Sequence, residues 1–342
     1  MAFQSVFKIV DWKKENSEID TKNSVLFGCG SSSCRRQKFN FSKYNSLKYF
    51  NSDIELKAST FQTKVNDVID ILETIQYNPY RLASNFRDVI VNYPANCVIT
   101  SRSVISKIMN TPFEINKEKR KWIIKAKLTE RGFIKLYYDE DSVSSTRSES
   151  FLKHDELLKN YLFTEKPQSY CRKIISLIND IFIEMYKISI GDHDLAFTTE
   201  TPGVIFNEEI TDIEKLRLSE HIYYELIDSE DFSPEVMNYN PIWWSKAVLF
   251  KAKQCIIGVY NRDNDNIQEI IKFNVDKFED ERLYENTWSP KAAWNFLNDF
   301  LSFVKNELEK IPEVDRKRNI LKFQSFYNDK PYVVCERIQN DI

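Results

Sequence analysis

The chain has 342 residues, 42% hydrophobic and 29% charged, a composition typical of a soluble globular protein with one large or two modest domains. Its net charge of −3 argues neither for nor against nucleic acid as a partner. It has only six glycines and contains neither a GxGxxG motif nor a P-loop, which argues against nucleotide binding through a Gly-rich phosphate loop.

The beginning of the chain and its cysteines bear on its compartment. The segment MAFQSVFKIVDWKKE has no continuous apolar region, so we expect no signal peptide. No run approaches the roughly 18 apolar residues of a membrane helix. The six cysteines are scattered, and only Cys29 and Cys34 are close, without a second pair at zinc spacing. We therefore expect free thiols, no membrane association, and a nuclear or cytoplasmic location.

The first predicted elements follow from glycine content and apolar spacing. GCGSSSCRRQ is predicted as a loop, because glycine and serine favour turns. TKVNDVIDILETI and SRSVISKIMN carry apolar residues at helical spacing, and the second must stop before Pro112. GFIKLYY is typical of a strand. In chain order these segments are 28–37, 63–75, 101–110 and 132–138.

The later elements are a hairpin and a long helix. Residues 255–273 are predicted to form two strands joined by a polar turn. Residues 289–308 are predicted to form a helix capped by Ser289, with Pro290 in its first turn. Its predicted core stripe is Ala293, Phe296, Leu297, Phe300, Leu301, Val304 and Leu308. Because strands and helices are mixed without regular βαβ alternation, and no linker divides the chain, we predict a single α/β domain with a mixed sheet.

The stretch HIYYELIDSEDF contains a carboxylate in an apolar strand. Alternation places Tyr223, Glu225 and Ile227 on one face, and the neighbours Ile222, Tyr224, Leu226 and Asp228 on the other. Burial would raise the pKa of Glu225 unless a positive group meets it. A metal ion, an arginine or no partner at all are the three alternatives. A second acidic stretch, FNEEITDIE (206–214), could add ligands for a divalent metal, although a solvated edge strand also explains it.

A basic segment lies in the middle of the chain. Residues 115–135 contain eight Lys or Arg against two acids, with Trp122 among them. The segment could follow a phosphate backbone while Trp122 stacks on a base, or it could be a solvated face. The paired Trp243 and Trp244 are typical of helix packing. The three histidines lack the spacing of a zinc site, and we propose no Ser/His/Asp triad.

Several stretches in order resemble the decapping exoribonuclease (DXO) family. CVITSRSVISKIMNTPFE (97–114) is similar to the family segment with Trp-Arg-Gly, a helix and Thr-Pro-Tyr-Glu. IWWSKAVLFKAKQCIIGVYNRDNDNIQ (242–268) is similar to its Trp-Trp-Ala-Gln helix and the hairpin after it. WSPKAAWNFLNDFLSFVK (288–305) matches its late Trp-x-Pro helix. The likeness covers about residues 85–310, and the first ~80 residues resemble the family least.

The resemblance implies a fold and an activity. The fold would be two twisted mixed β-sheets flanked by helices, related to PD-(D/E)XK-type nucleases, with the active site in the cleft between the sheets. Family members remove incomplete, unmethylated or NAD-type caps from RNA 5′ ends, release pyrophosphate from triphosphate ends, and use Mg²⁺ or Mn²⁺. Fungal members also bind a 5′–3′ exoribonuclease.

Carried over position by position, the resemblance implies a damaged site. Arg102, flanked by Ser101 and Ser103, falls where the family meets its substrate. Glu209 and Glu225 retain acids of the third and fourth motifs, and the carbonyl of Leu226 would be a further metal ligand. Three expected groups are lost: a glutamate, an aspartate and a lysine are replaced by Thr164, Thr211 and Ile227.

Two features could modify this damaged site. Glu165 and Asp212 each lie one residue after a lost carboxylate and could replace it only if a β-bulge turned them towards the site. Lys246 occupies the place of a family glutamine, where its ammonium could pair with Glu225 or Glu209 and replace the missing cation, or it could face solvent.

These observations leave three hypotheses. The first is a protein that binds RNA 5′ ends, with weak or lost metal chemistry. The second is an active decapping or NAD-cap-removing nuclease in which Glu209 and Glu225, with the displaced Glu165 or Asp212, surround Mg²⁺ or Mn²⁺. The candidate catalytic residues are Glu225, Glu209 and Lys246. The third is a scaffold for a 5′–3′ exoribonuclease, independent of the cleft.

Overall fold

The computed structural model describes the chain at residues 4–8, 24–33, 38–41, 44, 47–51, 56–57, 97–114, 121–138, 148–164, 180–232, 241–276, 288–327 and 331–339. The helix predicted at 63–75 and the acid Glu165 lie outside these residues. Within them, no helix is long and apolar enough to cross a membrane.

The larger sheet has ten strands among the described residues. They are β1 (Gln4–Lys8), β2 (Val25–Ser33), β3 (Lys38–Phe41), β5 (Val98–Ser101), β6 (Ile123–Leu128), β7 (Ile134–Tyr138), β9 (Asp180–Ile190), β10 (His193–Thr201), β15 (Asn319–Tyr327) and β16 (Pro331–Gln339). Across the sheet they follow the order β1-β16-β15-β6-β7-β5-β10-β9-β2-β3. The sheet is mixed, because β5 runs parallel to both β7 and β10 while the other neighbours are antiparallel.

The smaller sheet has six described strands, in the order β14-β13-β12-β11-β4-β8. It too is mixed, since β12 runs parallel to β13 and β11 runs parallel to β4. Its strands are β4 (Tyr49–Phe50), β8 (Phe163–Thr164), β11 (Val204–Ile205), β12 (Glu220–Asp228), β13 (Ala252–Asn261) and β14 (Asn266–Asn274).

Helices accompany both sheets. They are α1 (Arg102–Asn110), α2 (Glu149–Leu162), α3 (Ile213–Leu218), α4 (Pro241–Leu249), α5 (Pro290–Glu309) and α6 (Glu313–Arg316). The start of α5 is as predicted: Ser289 is its N-cap and accepts a hydrogen bond from the amide of Ala292 at 3.3 Å. Every residue of its predicted stripe is buried. The two mixed sheets with helices confirm the predicted fold class.

The predictions that rest on local pattern agree well with the structure. The hairpin predicted at 255–273 is β13 and β14, the strand predicted at 132–138 contains β7, and the helix predicted at 101–110 is α1. Both Trp243 and Trp244 are buried in α4, as their expected packing role requires.

The loop predicted at 28–37 is wrong over its first six residues, which belong to β2. Pairing with β9 explains this, because β2 is held along Val25–Ser33 by that long strand. Gly28 lies against Met185, and a Cβ at Gly28 would come within 2.5 Å of the Met185 methyl group. Glycine here therefore permits close packing between strands, rather than a turn.

The chain passes directly from the larger sheet to the smaller one. β10 ends at Thr201 and β11 begins at Val204, with only Pro202 and Gly203 between them. A second link joins β9 to β12, where Nε2 of His221 lies 2.9 Å from the buried carboxylate of Glu184. The two sheets therefore meet where β10 ends and where β12 begins.

Strand β12 is buried on both faces. Tyr223 and Ile227 join the core cluster that contains α1, α4 and α5, whereas Ile222, Tyr224 and Leu226 join a second cluster with α2. The alternation predicted from the sequence is thus confirmed. Glu225 shares the face of Tyr223, which places its carboxylate towards the first cluster and the helices that cover it.

Candidate functional site

Glu225 is held by two groups of this chain. The ammonium of Lys246 lies 2.7 Å from its Oε1 atom, and the hydroxyl of Tyr223 donates a short hydrogen bond to its Oε2 atom. The side chains of Glu225 and Lys246 are only 16% and 25% exposed, so water screens the pair weakly. Burial raises the pKa of Tyr223 well above its usual range, and the charge of Glu225 raises it further, so the phenol keeps its proton. Of the two partners predicted for Lys246, the structure confirms Glu225.

Packing between α1 and α4 determines where Lys246 lies. The hydroxyls of Ser106 and Ser245 are 2.7 Å apart, and the amide nitrogen of Asn110 donates to Ser245 at 2.7 Å. All three side chains are buried between the helices. These bonds fix the rotation of α4, and Lys246, one residue after Ser245, is thereby held beside α1 and Glu225.

Arg102 is positioned at the start of α1 by aromatic rings. Its guanidinium lies 5.4 Å from the ring centroid of Tyr223 and 5.3 Å from that of Phe250, within the range of cation–π attraction. Its Nη1 atom is buried and has no hydrogen-bond partner among the described residues. A buried donor of this kind is costly unless a ligand or water accepts from it.

A second ion pair joins α2 to β10. Nζ of Lys159, on α2, is 2.7 Å from Oε1 of Glu200, near the end of β10. Burial alone would raise the pKa of Glu200, but the charge and hydrogen bond of Lys159, with the charges of Arg102 and Lys48, lower it below its ordinary value. Glu200 therefore stays ionised among three cationic side chains.

The parallel register of β5 and β10 explains why these groups meet. Ser101 of β5 pairs with Thr198 of β10. Arg102 and Glu200 follow these two residues, so both lie at the same end of the two neighbouring strands. Arg102 lies over the Tyr223 ring, and its charge is one of those that lower the pKa of Glu200. We call Arg102, Tyr223, Glu200, Glu225, Lys48, Lys159 and Lys246 the cleft cluster.

The positions where the resemblance implies lost groups have other roles. Thr164 is buried in β8, and its hydroxyl donates to the carbonyl of Tyr49 at 3.3 Å. Ile227 packs against the main core. Thr211 is exposed on the loop after β11. None of these three side chains carries a charge.

The remaining predicted ligands differ in their surroundings. Glu209 is exposed on the same loop, where its charge acts on the phenol of Tyr49. Asp212 is the N-cap of α3, where its carboxylate accepts a hydrogen bond from the backbone amide of Lys215 at 2.8 Å. Leu226 is buried in β12, paired with Gly258 of β13. Metal ligation by Glu209 and the Leu226 carbonyl stays a prediction.

Two of the residues predicted to bind substrate lie at the surface, and one does not. The hydroxyls of Ser101 and Ser103 are 2.8 Å apart beside Arg102, and Ser103 is exposed. Trp122 is only 4% exposed, stands edge-on to Phe300, and donates from Nε1 to Thr111 at 3.0 Å. It borders a cavity of about 270 Å³ that also touches Ser103 and Lys246. Because so little of Trp122 is exposed, the structure favours a packing role for it, and stacking on a base stays a prediction.

The sequence analysis missed Glu200, Lys159, Lys48 and the role of Tyr223. One signal was present, since in FTTETPG an acid stands on an alternating strand just before a Pro-Gly break. Nothing local, however, connects that acid with a lysine on a helix 41 residues earlier.

The cleft cluster does not fit a divalent cation. Within the described part of the chain, no group of three or more His, Cys, Asp or Glu side chains is arranged to hold a metal ion. The two carboxylates of the cluster are each bound by a lysine. Mg²⁺ requires several oxygen ligands in near-octahedral geometry, and ammonium groups compete for those oxygens.

The chain with these two mixed sheets, which meet at a strand bearing a half-buried glutamate beside a helix that begins with arginine, matches a model of the PD-(D/E)XK class of nucleases. Within that class, the chain belongs to the RAI1-like PD-(D/E)XK nuclease family, whose model matches residues 40–339. This is the decapping exoribonuclease family that the sequence motifs resemble.

Solved structures of similar proteins agree on the fold. S. pombe Rai1 in complex with 3′-FADP has a TM-score of 0.64 and 14% identity, covering 99% of this chain and 100% of that one. Candida albicans Rai1 in complex with pU5 and Mn²⁺ has a TM-score of 0.65 and 13% sequence identity, covering 98% of this chain and 93% of that one. K. lactis Dxo1 in complex with manganese has a TM-score of 0.62 and 10% sequence identity, covering 99% of each chain. No curated protein sequence matches the chain.

Proposed function

We propose that this protein binds RNA 5′ ends and that its metal-dependent hydrolysis is lost or very weak. One observation carries the proposal: both carboxylate oxygens of Glu225 are occupied by groups of the same chain, Lys246 and Tyr223. In this family the corresponding acid would serve a divalent metal. Here it is paired with an internal lysine, which supports the interpretation of this protein as a pseudoenzyme or a very weak enzyme.

The chemistry of the remaining groups supports the same conclusion. Hydrolysis would require a cation or preorganised donors to stabilise developing negative charge, and one such donor is typically worth about 10²–10³ in rate. Ile227 stands where the resemblance implies a catalytic lysine, and Thr164 where it implies a carboxylate. A metal would have to displace Lys246 and would then have fewer protein carboxylates to hold it than the family motifs supply, which weakens its binding.

RNA 5′-end binding rests on the family and on Arg102. Solved relatives contain pU5 or 3′-FADP, which indicates that this fold accommodates nucleotides. In this chain Arg102 has a buried Nη1 atom with no hydrogen-bond partner among the described residues, and the hydroxyls of its sequence neighbours Ser101 and Ser103 lie 2.8 Å apart. Such a group of donors suits a phosphate oxygen. We infer that triphosphate, unmethylated-cap or NAD-cap ends are bound here.

Two experiments test the proposal. Purified protein in excess, with Mn²⁺ and RNA carrying a triphosphate, an unmethylated guanosine cap or an NAD cap, is expected to release no product. Binding of the same RNAs is expected to fall by roughly tenfold in Arg102→Ala, because a charge-assisted hydrogen bond is lost. The exposed Lys253→Ala, which removes one positive charge elsewhere, is the control.

The other hypotheses give different results. Metal-dependent release of a cap, of pyrophosphate or of nucleotides would reinstate the active nuclease. Capture of a 5′–3′ exoribonuclease that survives Arg102→Ala and Glu225→Ala, without RNA-end binding, would favour the scaffold.

A further inference from the structure

The basic segment at residues 115–135 contributes to the outer face of the larger sheet. Its strands β6 and β7 lie beside β15 and β16, and residues of all four strands alternate between two faces. Ala126, Leu136 and Phe323 are buried on the inner face, where Phe323 contacts Phe300 of α5. Every lysine of these four strands lies on the opposite, outer face.

The strand register places these lysines directly opposite one another. Lys125 of β6 pairs with Lys322 of β15, and Lys127 of β6 pairs with Lys135 of β7. All four are partly exposed. With Glu336 of β16, which lies opposite Lys322, they are the charged residues that the four strands direct outwards. We call these five residues the lysine face; four lysines against one glutamate leave an excess of three positive charges.

This register is unfavourable for the protein alone. Like charges directly opposite each other on neighbouring strands destabilise a sheet. In the register of the described strands only Lys322 lies opposite an acid, and its ammonium is 3.9 Å from the carboxylate of Glu336. An anionic ligand along the face would offset the repulsion. Because the lysines are spread over three strands, an extended polyanion fits them better than a single small ion.

Tyr137 adds an aromatic ring to the same face. It lies opposite Lys125 in the register, and the ammonium of Lys135 is 5.4 Å from its ring centroid. Lysines that follow a phosphate backbone, with an aromatic ring among them, are typical of sequence-independent binding of single-stranded nucleic acid. An acidic peptide would use the lysines but not the ring. The face therefore favours RNA among polyanions.

We propose that the lysine face binds the body of single-stranded RNA through its phosphate backbone, without preference for base sequence or for the 5′ group. The inference goes beyond the proposed function, which concerns the RNA 5′ end. Helix α1, which carries Arg102, lies on the other side of the sheet, where Tyr138 of the inner face donates to the carbonyl of Ser103 at 3.1 Å. The two contacts can therefore be tested separately.

The test measures binding of a 5′-hydroxyl oligouridine, long enough to cross the four strands, to the full chain in EDTA. Fluorescence anisotropy at several salt concentrations compares the wild-type protein with Lys127→Gln/Lys322→Gln. Each lysine–phosphate contact that is lost is expected to lower the slope of log affinity against log salt by about 0.7. At 0.1 M salt this is about fivefold per contact, so the double variant is expected to bind roughly 25-fold more weakly.

Two further variants are controls. Lys127→Arg/Lys322→Arg keeps both charges and is expected to bind like the wild-type protein. Lys153→Gln/Lys253→Gln removes two charges from exposed ion pairs elsewhere and is the matched control. Because glutamine relieves the repulsion between facing lysines, Lys127→Gln/Lys322→Gln is expected to melt no lower than the wild-type protein. If it does unfold, either single variant serves, with half the change in slope.

Each remaining outcome is decisive. Unchanged affinity in Lys127→Gln/Lys322→Gln, or an equal loss in the matched control, overturns the inference. Binding to vesicles containing phosphatidylserine or to an acidic peptide, without binding to the oligouridine, overturns it as well. The proposed function is judged separately, by the preference for 5′-triphosphate over 5′-hydroxyl RNA. Arg102→Ala is expected to reduce that preference, and the lysine-face variants are expected to leave it unchanged.

Discussion

The ammonium of Lys246 lies 2.7 Å from Oε1 of Glu225, linking α4 to the middle of β12. In the proposed function, this pair stands where the family resemblance implies a metal–carboxylate contact. It lies in a region where both side chains are mostly removed from water, so it affects stability as well as function.

The first prediction concerns the contribution of this ion pair to the free energy of unfolding. Lys246→Met is expected to lower the free energy of unfolding by about 1–2 kcal/mol, between the values for exposed and for buried pairs, because Glu225 loses its cation. Urea denaturation of Lys246→Met, Glu225→Gln and the double variant measures the coupling between the two residues. Additive effects would show that the contact contributes nothing.

The second prediction concerns Glu184 and His221, which join β9 of one sheet to β12 of the other. Glu184 is fully buried and also accepts from Tyr186 at 2.7 Å. His221→Leu removes one partner of a buried carboxyl and is expected to cost about 3 kcal/mol. Glu184→Gln, which keeps an acceptor for Tyr186, is expected to cost less. Urea denaturation of both variants tests this order, and the reverse order would contradict the explanation.

The third prediction is a pH dependence due to Glu200. Because Lys159, Arg102 and Lys48 lower its pKa from 4.5, ionised Glu200 stabilises the folded state at neutral pH, and this contribution disappears as the pH falls through the lowered value. The difference in unfolding free energy between the wild-type protein and Glu200→Gln should therefore shrink as the pH falls below about 4.5. Chemical denaturation at several pH values measures it, with Glu220→Gln as an exposed control. A difference that grows on acidification would refute the assignment.

The fourth prediction separates packing from RNA contact at Trp122. Trp122→Phe is expected to lower stability by about 1–3 kcal/mol, since it loses ring volume in the core and the hydrogen bond to Thr111. Its RNA affinity should match that of the wild-type protein in anisotropy titrations. A stacked base would be worth about 1–3 kcal/mol of binding, so a clear loss of affinity would return Trp122 to the binding surface.

Much of the fold could be predicted from local sequence. The helix at Pro290–Glu309 has its cap, its first-turn proline and its apolar stripe within one segment. The hairpin of β13 and β14 likewise has its strands and polar turn together. The loop prediction at 28–37 failed because β2 is held by a strand about 150 residues later, which glycine content alone cannot reveal.

The sequence by itself determined the family, the alternating faces of β12 and the absence of charged groups at Thr164, Thr211 and Ile227. Those properties depend on residue type and on neighbours along the chain. Only the tertiary structure decided that Glu200 joins the site, that Lys246 meets Glu225, and that Trp122 is buried. These outcomes depend on how β10 aligns with β5 and how α4 packs on α1. The interaction energy of two charges depends on the distance between them in space and not on their separation in the sequence.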